Sequence, residues 1–500
     1  MAGRTSKPTV GALPDTTADS SLVPVALTWL AWSLFATSLA AFVARVRFGF
    51  APEIPGVVAV DGLTVLMWVV VAFFGGIVHS YSRRYMAGSA HETRFFLAVF
   101  GFVTVVMTLV AADHIALFGA LWLAMGLAMA RLIGIVSGWE QAQAAATVAR
   151  RYFLASSGLL GVALATLWWA TGATTVSGIA AATDGLGGPV WLVAAVALVL
   201  AAMIQSALVP FHGWLLSSMT APTPASALMH AGFVNAGGVL LLRFAPVVTV
   251  DGSLMLAIVA VGAASALLGK LLKSVRADVK SKLACSTVGQ MGFMIMQAGL
   301  GFFGAAITHL VLHGFYKAYQ FLSSGARVER TAPDKKAGRA TGVSGAVDVA
   351  ATLVTGLAGG AAFVLLTGKG TSADGGLLLA LFVVFTTLHA ARSAVRQTSL
   401  PATVRYGAIP LVFLPAIALY ALVYNGISTL LTGLPVVTAP TELTALHVLV
   451  AVAFLAAYVA IEAGVHERSR RLYVALLNAS QPSPDTLLTN AEEYDNGGAQ

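Results

Sequence analysis

The stretch VPFHGWLLSSMTAPTPASALMHAGFVNAGG, from Val209 to Gly238, interrupts an apolar part of the chain with polar groups. It contains a proline inside an apolar span, Pro210, and two imidazoles, His212 and His230. Because proline removes a backbone donor and clashes with the preceding turn, Pro210 predicts a broken helix. Inside a membrane, a broken helix survives only where protein or a water-filled cavity satisfies the freed backbone groups, and transporters use such breaks as ion sites. His212 is open to a second interpretation, as part of an interfacial structure.

A second polar stretch, THLVLHGFYKAYQFLSSG at 308–325, has titratable groups at a spacing of four residues. The spacing places His309, His313 and Lys317 on one face of a helix. Imidazoles and amines are costly to hold in a bilayer, so by default they mark an ion or proton path. The competing interpretation is a polar cluster that only packs helices together.

The composition of the 500-residue chain is that of an integral membrane protein. It is 58% hydrophobic and 10% charged, with a mean hydropathy of +0.84, whereas soluble proteins carry about 25% charged residues. The net charge of +8 does not indicate nucleic-acid binding, because the basic residues lie in short segments between apolar spans. The single cysteine, Cys285, excludes an intramolecular disulfide and a cysteine-based metal site. We expect no cofactor and no catalytic chemistry in this chain.

About fourteen apolar spans predict an all-α membrane protein, since a helix needs about 20 apolar residues to cross a bilayer. The predicted spans are 24–46, 58–82, 95–112, 114–136, 151–171, 189–218, 225–248, 253–272, 283–301, 303–324, 343–367, 374–391, 407–432 and 442–464. If the N-terminus is cytoplasmic and the chain crosses the membrane once at each span, most of the 29 basic residues lie on the cytoplasmic side. This predicts a multi-pass protein of a bacterial inner membrane with both termini cytoplasmic. The polar ends, 1–22 and 472–500, are expected to be flexible tails, without the pattern of a cleavable signal peptide.

Five ordered motifs resemble the proton-translocating antiporter-like family, which includes large membrane subunits of respiratory complex I and of multisubunit sodium/proton antiporters. They are VDGLTVLMWVVVAFFGGIVHSYSRRYM at 60–86, FFLAVFGFVTVVMTLVAADHIALFGALW at 95–122, the stretch at 209–238, DVKSKLACSTVGQMGFM at 278–294 and HLVLHGFYKAYQFLSSG at 309–325. The resemblance implies two inverted five-helix repeats with broken helices, at 95–248 and 253–400. Further helices are expected at 23–94 and 401–471.

The chain departs from the respiratory members of the family at their central acid–base pair. Their glutamate after the tryptophan of the fifth helix corresponds to Leu123, their broken-helix lysine to Gln205, and an aspartate that tunes the pair to Leu159. Lys369 and His389 are candidates for the lysine of the second half. For both, a loop or surface position is the competing interpretation.

In the loss of this pair and in its length, the chain resembles the membrane subunits of DAB-type inorganic carbon accumulation complexes, the DabB proteins. The resemblance implies a large soluble partner, DabA-like, with a zinc-dependent carbonic-anhydrase-like site. In that system a cation gradient across the membrane subunit drives hydration of CO2 to bicarbonate in the cytoplasm. Zinc is therefore expected in the partner. The short basic cytoplasmic loops of this chain could form the surface on which that partner docks.

The expected ion is a proton, with sodium as the alternative, and its path runs from the outside to the cytoplasm. The residues expected along it, in order, are Asp113, His114, the break at Pro210, His230, Lys317, His313 and His309. Three other functions stay open: a proton-pumping subunit of a complex I-like or membrane hydrogenase assembly, a sodium/proton antiporter subunit, and a structural anchor with an inert polar column.

Overall fold

The computed structural model describes residues 22–183, 187–325, 346–372, 374–395, 407, 409–435 and 443–486. Over these residues the chain is almost entirely helical, apart from a short antiparallel pair of strands, β1 (Glu53–Ile54) and β2 (Val58–Ala59). The helices are α1 (Leu22–Phe48), α2 (Gly62–Tyr85), α3 (Glu92–Ala111), α4 (Ile115–Ile133), α5 (Glu140–Thr171), α6 (Val176–Ala181), α7 (Gly188–Gln205), α8 (Gly213–Ser217), α9 (Thr223–Ala231), α10 (Ala236–Arg243), α11 (Ala245–Val248), α12 (Gly252–Ser274), α13 (Val279–Gly299), α14 (Phe303–Leu322), α15 (Ala346–Thr367), α16 (Gly375–Val395), α17 (Ile409–Leu430), α18 (Ala445–Glu462), α19 (Val465–Arg468) and α20 (Arg470–Ala479).

The helices confirm an all-α membrane protein. Within the described ranges, ten segments are long and apolar enough to cross a membrane, and two shorter apolar segments lie in α16 and α18. Helices α13 and α14 are 21 and 20 residues long, which is enough to cross, although their polar side chains keep them outside that set of ten. The number of fourteen spans stays a prediction.

The predicted span 189–218 is divided into two helices. Helix α7 ends at Gln205 and α8 begins at Gly213, so Pro210 lies in the break. Ala207 adopts a φ of +53° there, a left-handed conformation that is uncommon for residues other than glycine. The next span is interrupted as well, because α9 ends at Ala231 and a 3-10 turn precedes α10. The irregular backbone is buried at Ala207 and Leu208 and at the 3-10 turn Phe233–Asn235, whereas Pro210 itself is exposed.

Helices α12 and α13, which begin the second half of the bundle, pack closely against each other. A Cβ added to Gly262 would lie 2.7 Å from the carbonyl oxygen of Gly292, and one added to Gly299 would lie 2.8 Å from the amide nitrogen of Val259. Small residues at helix interfaces let membrane helices pack backbone to backbone. Larger side chains at these positions would push the two helices apart.

The region after residue 471 is ordered as far as residue 486, which differs from the expected flexible tail. Helix α20 extends to Ala479, and a 3-10 turn follows at Pro484–Thr486. The reason is an amphipathic pattern with one apolar anchor: Leu476 is 5% exposed and packs against Leu216 and Leu272. The amide of Ser483 also donates to Ser217 Oγ over 2.9 Å. Residues 487–500 lie outside the described part.

Candidate functional site

The face of α14 that the spacing predicted forms a column of nitrogen bases that is half-buried at His309 and buried at the other two residues. Lys317 is fully buried and His313 nearly so. The rings of His309 and His313 lie 5.7 Å apart, with their planes within 16° of parallel. From His309 to Lys317 the column extends ~12 Å, at ~1.5 Å per residue. His230 connects to Lys317 through the hydroxyl of Thr287 and the carbonyl oxygen of Leu283, so the structure brings all four groups into one cluster.

Lys317 is held by a backbone carbonyl of the neighbouring helix. Its Nζ donates to the oxygen of Leu283, on α13, over 2.9 Å. None of the ion pairs found between described residues involves Lys317. A buried amine without a carboxylate partner is expensive in a membrane, and such groups are retained where they act in ion or proton transfer.

His230, on α9, connects to the same carbonyl through Thr287. The hydroxyl of Thr287 donates to the oxygen of Leu283 over 2.9 Å, and His230 Nδ1 lies 2.9 Å from that hydroxyl. Because the hydroxyl has one proton and gives it to Leu283, Nδ1 of His230 must be the donor in the second bond. Nε2 of His230 is then the basic nitrogen, and it has no hydrogen-bond partner within the described structure. Phe321 stacks on the ring, with centroids 4.4 Å apart, and fixes its orientation.

A large cavity of about 1040 Å³ lies beside the column, between α12, α13, α16, α17 and α18. Its polar lining includes Lys270, Lys273, Lys282, Gln290, Gln297 and His309. Phe293 packs on both His309 and Phe382, with ring centroids 5.5 and 5.8 Å apart. The cavity therefore joins the lysine-rich ends of α12 and α13 to the first imidazole of the column.

The first half of the bundle is apolar at the corresponding place. A small cavity of about 40 Å³ is lined by Phe118, Trp122 and other apolar side chains, with Asn235 as its polar member. The Trp122 indole donates to Ser156 Oγ over 3.2 Å and takes part in no charged pair described here. Gln205 is buried at the end of α7, and its Nε2 has no partner among the described atoms. The column and its cavity thus have no described counterpart in this half.

Asp113 and His114 lie apart from the column and stabilise a loop. Asp113 accepts from the amide and the hydroxyl of Ser177, at 2.9 and 2.7 Å. His114 caps α4 by accepting from the amide of Ala116 through Nδ1. Both residues make these local hydrogen bonds away from the column, and their place on the path stays a prediction.

The remaining candidates are also outside the column. Lys369 follows α15, and its Nζ lies 5.9 Å from the ring of Phe302. His389 lies on α16, but its side chain is outside the described part of the structure. His212 donates from Nε2 to the carbonyl oxygen of Ala479, at the end of α20, over 3.1 Å. Within the described residues, no group of His, Cys, Asp or Glu is arranged to hold a metal ion.

Sequence reasoning missed an ion pair between α2 and α10. Arg243 donates to both carboxylate oxygens of Asp61, and also to Thr64 Oγ1 and the carbonyl oxygen of Val110. An arginine inside an apolar span needs an acidic partner, so the position of Arg243 was the available signal. This pair ties the N-terminal helices to the end of the first half of the bundle.

Family comparisons agree with the fold and with the motifs. A family model described as "NADH:quinone oxidoreductase/Mrp antiporter, TM" matches residues 111–343, and one described as "NADH-Ubiquinone oxidoreductase (complex I), chain 5 N-terminus" matches 53–96. The chain belongs to this family of antiporter-like membrane subunits. It is a multi-pass membrane protein with a complex I-like antiporter domain.

Several curated relatives are inorganic carbon transporter subunits. "Probable inorganic carbon transporter subunit DabB2" of Halothiobacillus neapolitanus is 36% identical over 321 residues, or 60% of this chain and 57% of the relative. The DabB subunit of Bacillus subtilis is 38% identical over 274 residues, or 54% of each chain. "NADH-quinone oxidoreductase subunit L" of Mycobacterium tuberculosis is 35% identical over 58% of this chain and 46% of its own. The chain thus spans about half the length of the curated relatives it matches.

Solved structures share the fold at low identity. The Mrp complex from Dietzia sp. DQ12-45-1b matches with a TM-score of 0.56 and 23% identity, over 92% of this chain and 50% of that chain. Respiratory complex I from Thermus thermophilus matches with a TM-score of 0.53 and 19% identity, over 92% of this chain and 98% of that chain. These likenesses show the fold alone.

Proposed function

We propose that this chain is the proton-conducting membrane subunit of an inorganic carbon accumulation complex. One observation supports the transport step above the others: His230 and Lys317 meet at the carbonyl of Leu283, and the column continues from Lys317 to His309 at the cavity. Groups that bind and release protons then follow one another from the core of the bundle to the lysine-rich ends of α12 and α13.

The chemistry of the column favours a proton over sodium. Hard cations bind to oxygen ligands, whereas the column offers three imidazoles and an amine. Imidazole can accept a proton at one nitrogen while it donates from the other, and its unperturbed pKa is near neutrality. Nε2 of His230 and both ring nitrogens of His313 make no hydrogen bond to described protein atoms. Nε2 of His230 and the one unprotonated ring nitrogen of a neutral His313 can therefore take up a proton, and the other nitrogen of His313 can pass one on.

The inorganic carbon role is inferred from the DabB relatives and from the missing acid–base pair. Gln205 is neutral where the respiratory members have a lysine, and the first half of the bundle is apolar around Trp122. A pump that drives protons against their gradient needs titratable groups there, whereas downhill flow requires a single connected path. One elementary charge that moves through 100 mV releases about 2.3 kcal/mol. This is enough to bias a conformational cycle in a soluble partner.

The partner in this proposal is a large soluble subunit with a zinc-dependent carbonic-anhydrase-like site. It would bind the cytoplasmic side of this chain, with both termini of the chain on the same side of a bacterial inner membrane. The chemistry of CO2 hydration would belong to the partner, and this chain would supply the ion flow.

Growth of a carbonic-anhydrase-deficient bacterium in ambient air tests the proposal. The chain would be expressed with the soluble protein encoded beside it, with and without a protonophore. We expect rescue that requires both proteins, is lost in Lys317→Ala and is abolished by the protonophore. Absence of rescue when both proteins are made and assembled would instead favour a redox-pump or antiporter subunit.

A further inference from the structure

We propose that His466 exchanges protons between the cavity beside the column and the cytoplasm. This inference rests on the proposed proton conduction, and it adds a residue at the cytoplasmic end of the path. His466 lies outside the five motifs of the family and follows helix α18. Both family matches end before it, at residues 343 and 96.

The cavity beside the column brings His466 and His309 onto one wall-lined space. They are the two imidazoles among the lining residues that the structure describes. The other titratable residues of this described lining are lysines and tyrosines, namely Lys270, Lys273, Lys282, Tyr420 and Tyr458. An unperturbed imidazole titrates at about pH 6.5, so near neutrality it can both accept and donate a proton. The cavity therefore has one such group at the column and a second one elsewhere on its wall.

His309 lies deep in this cavity, measured from the lysine-rich end. One face of α13 lines the cavity from Lys282, near the start of the helix, to Gln297. Phe293, on the same face, packs on His309 with ring centroids 5.5 Å apart. At ~1.5 Å per residue, His309 is thus ~16 Å along α13 from Lys282. A proton on His309 must cross this length of the cavity to reach the cytoplasm.

His466 is held at the lysine-rich end by the segment that follows α18. Tyr458, near the end of α18, contacts α12 there, with the Nζ of Lys270 4.1 Å from its ring centroid. Gly464 then turns the chain in a left-handed conformation, at a φ of +70°, and His466 follows in α19. Beyond it, Leu476 of α20 packs against α8 and α12. These contacts place the imidazole at the cytoplasmic end of the cavity in the proposed orientation.

The ring of His466 can exchange protons with water in the cavity. His466 is 6% exposed, and its Nδ1 makes no hydrogen bond to described protein atoms. Buried polar atoms are nearly always hydrogen-bonded, and the cavity of about 1040 Å³ is many times the ~30 Å³ that one water occupies. A proton that leaves His309 passes through this water to the unprotonated ring nitrogen of His466. The other ring nitrogen releases a proton to the cytoplasm, so one proton enters the ring and one leaves it.

Electrical recording of the proton current tests this role, and it avoids a pH-sensitive dye whose signal imidazole would buffer. The full chain and its partner would be reconstituted in liposomes adsorbed to a solid-supported membrane. His466→Ala removes the ring and leaves space at this end of the cavity for imidazole from solution. His447→Ala is the matched control, because His447 is 3% exposed but lies at the opposite end of α18, where it caps the helix with Thr444.

We expect the current of His466→Ala to fall at least tenfold, since a positioned proton-transfer group contributes about 10²–10⁴-fold. Added imidazole should restore this current and should leave wild type and His447→Ala unchanged. Equal currents in wild type and His466→Ala, or a reduced current that imidazole does not raise, would overturn the role of His466. If His466→Ala does not assemble, His466→Asn keeps a polar side chain, and a wild-type current in that variant would overturn the role equally. Absence of current in wild type would instead reject the proton conduction itself.

Discussion

His230 and Lys317 lie on different halves of the bundle and are connected through one backbone oxygen. Lys317 donates directly to the carbonyl of Leu283, and His230 reaches the same carbonyl through the hydroxyl of Thr287. The connection fixes the tautomer of His230, with the proton on Nδ1 and the basic nitrogen at Nε2. The two groups are thereby held in a set geometry without any carboxylate.

Replacement of Thr287 by valine tests this connection. Thr287→Val keeps the shape of the side chain but removes the hydroxyl, so His230 loses the acceptor that fixes its tautomer. A hydrogen bond contributes about 1 kcal/mol, which corresponds to a several-fold change in an equilibrium or a rate. We expect proton flux through the reconstituted complex to fall about fivefold to tenfold and its pH profile to shift.

Thr287→Ser supplies the control for that variant, since it retains the hydroxyl. It should conserve most of the flux and the wild-type pH profile. Equal flux and identical pH profiles in Thr287→Val and wild type would mean that Thr287 only packs the helices.

Loss of Asp61 should destabilise the protein through Arg243. The side chains of Arg243 and Asp61 are only 11% and 26% exposed, so Asp61→Asn leaves a guanidinium without its counter-ion. Removal of one partner from a buried pair costs about 3 kcal/mol. We expect Asp61→Asn to have a lower melting temperature than wild type in detergent. The double variant Asp61→Asn/Arg243→Gln should lose less stability than the sum of the losses in the two single variants. Additive losses would show that the pair is not energetically coupled.

The same pair predicts a pH dependence. Burial raises the pKa of the Asp61 carboxyl, but attraction to Arg243 and hydrogen bonds from Arg243 and Thr64 outweigh it and hold the pKa below 3.8. A carboxyl with a depressed folded pKa stabilises the protein fully above its unfolded pKa, and this stability is lost as the pH falls through the folded pKa. The melting temperatures of wild type and Asp61→Asn should therefore differ by a constant amount from about pH 5 to 8. A difference that shrinks within that range would contradict the assignment.

Packing of Leu476 should hold helix α20 against the bundle. Leu476→Ala leaves a cavity among Leu216, Leu272 and their neighbours, and such a truncation costs about 2–5 kcal/mol. We expect faster proteolysis of the C-terminal segment and a lower melting temperature. Leu472→Ala is the matched control because Leu472 is 38% exposed. If the two variants behave alike, α20 does not depend on this contact.

The sequence predicts the helical class and the column because both depend on local periodicity. Residues four apart on α14 share a face in any helix, so His309, His313 and Lys317 had to align. Pro210 likewise indicates a break, because its effect on a helix is local. These features do not require knowledge of how the helices pack.

Features that depend on packing could not be predicted in the same way. The partner of Arg243 lies 182 residues away, and Thr287 meets His230 across 57 residues. The cavity gathers lysines from two helices with walls from three others, so spacing along the chain does not show it. The local hydrogen bonds of Asp113 to Ser177 and of His114 at the start of α4 could not be predicted either, and the place of these two residues on the path stays a prediction.

Proton flux through Lys317 is the measurement that tests the account most directly. The chain and its partner would be reconstituted in liposomes with an internal pH-sensitive dye, and flux would be driven by an imposed membrane potential. We predict that Lys317→Gln reduces flux more than about tenfold, since it removes the group that joins His230 to the column. Lys369→Gln, with its lysine outside the column, should conduct like wild type. Wild-type flux in Lys317→Gln would contradict the proposal that this column conducts protons.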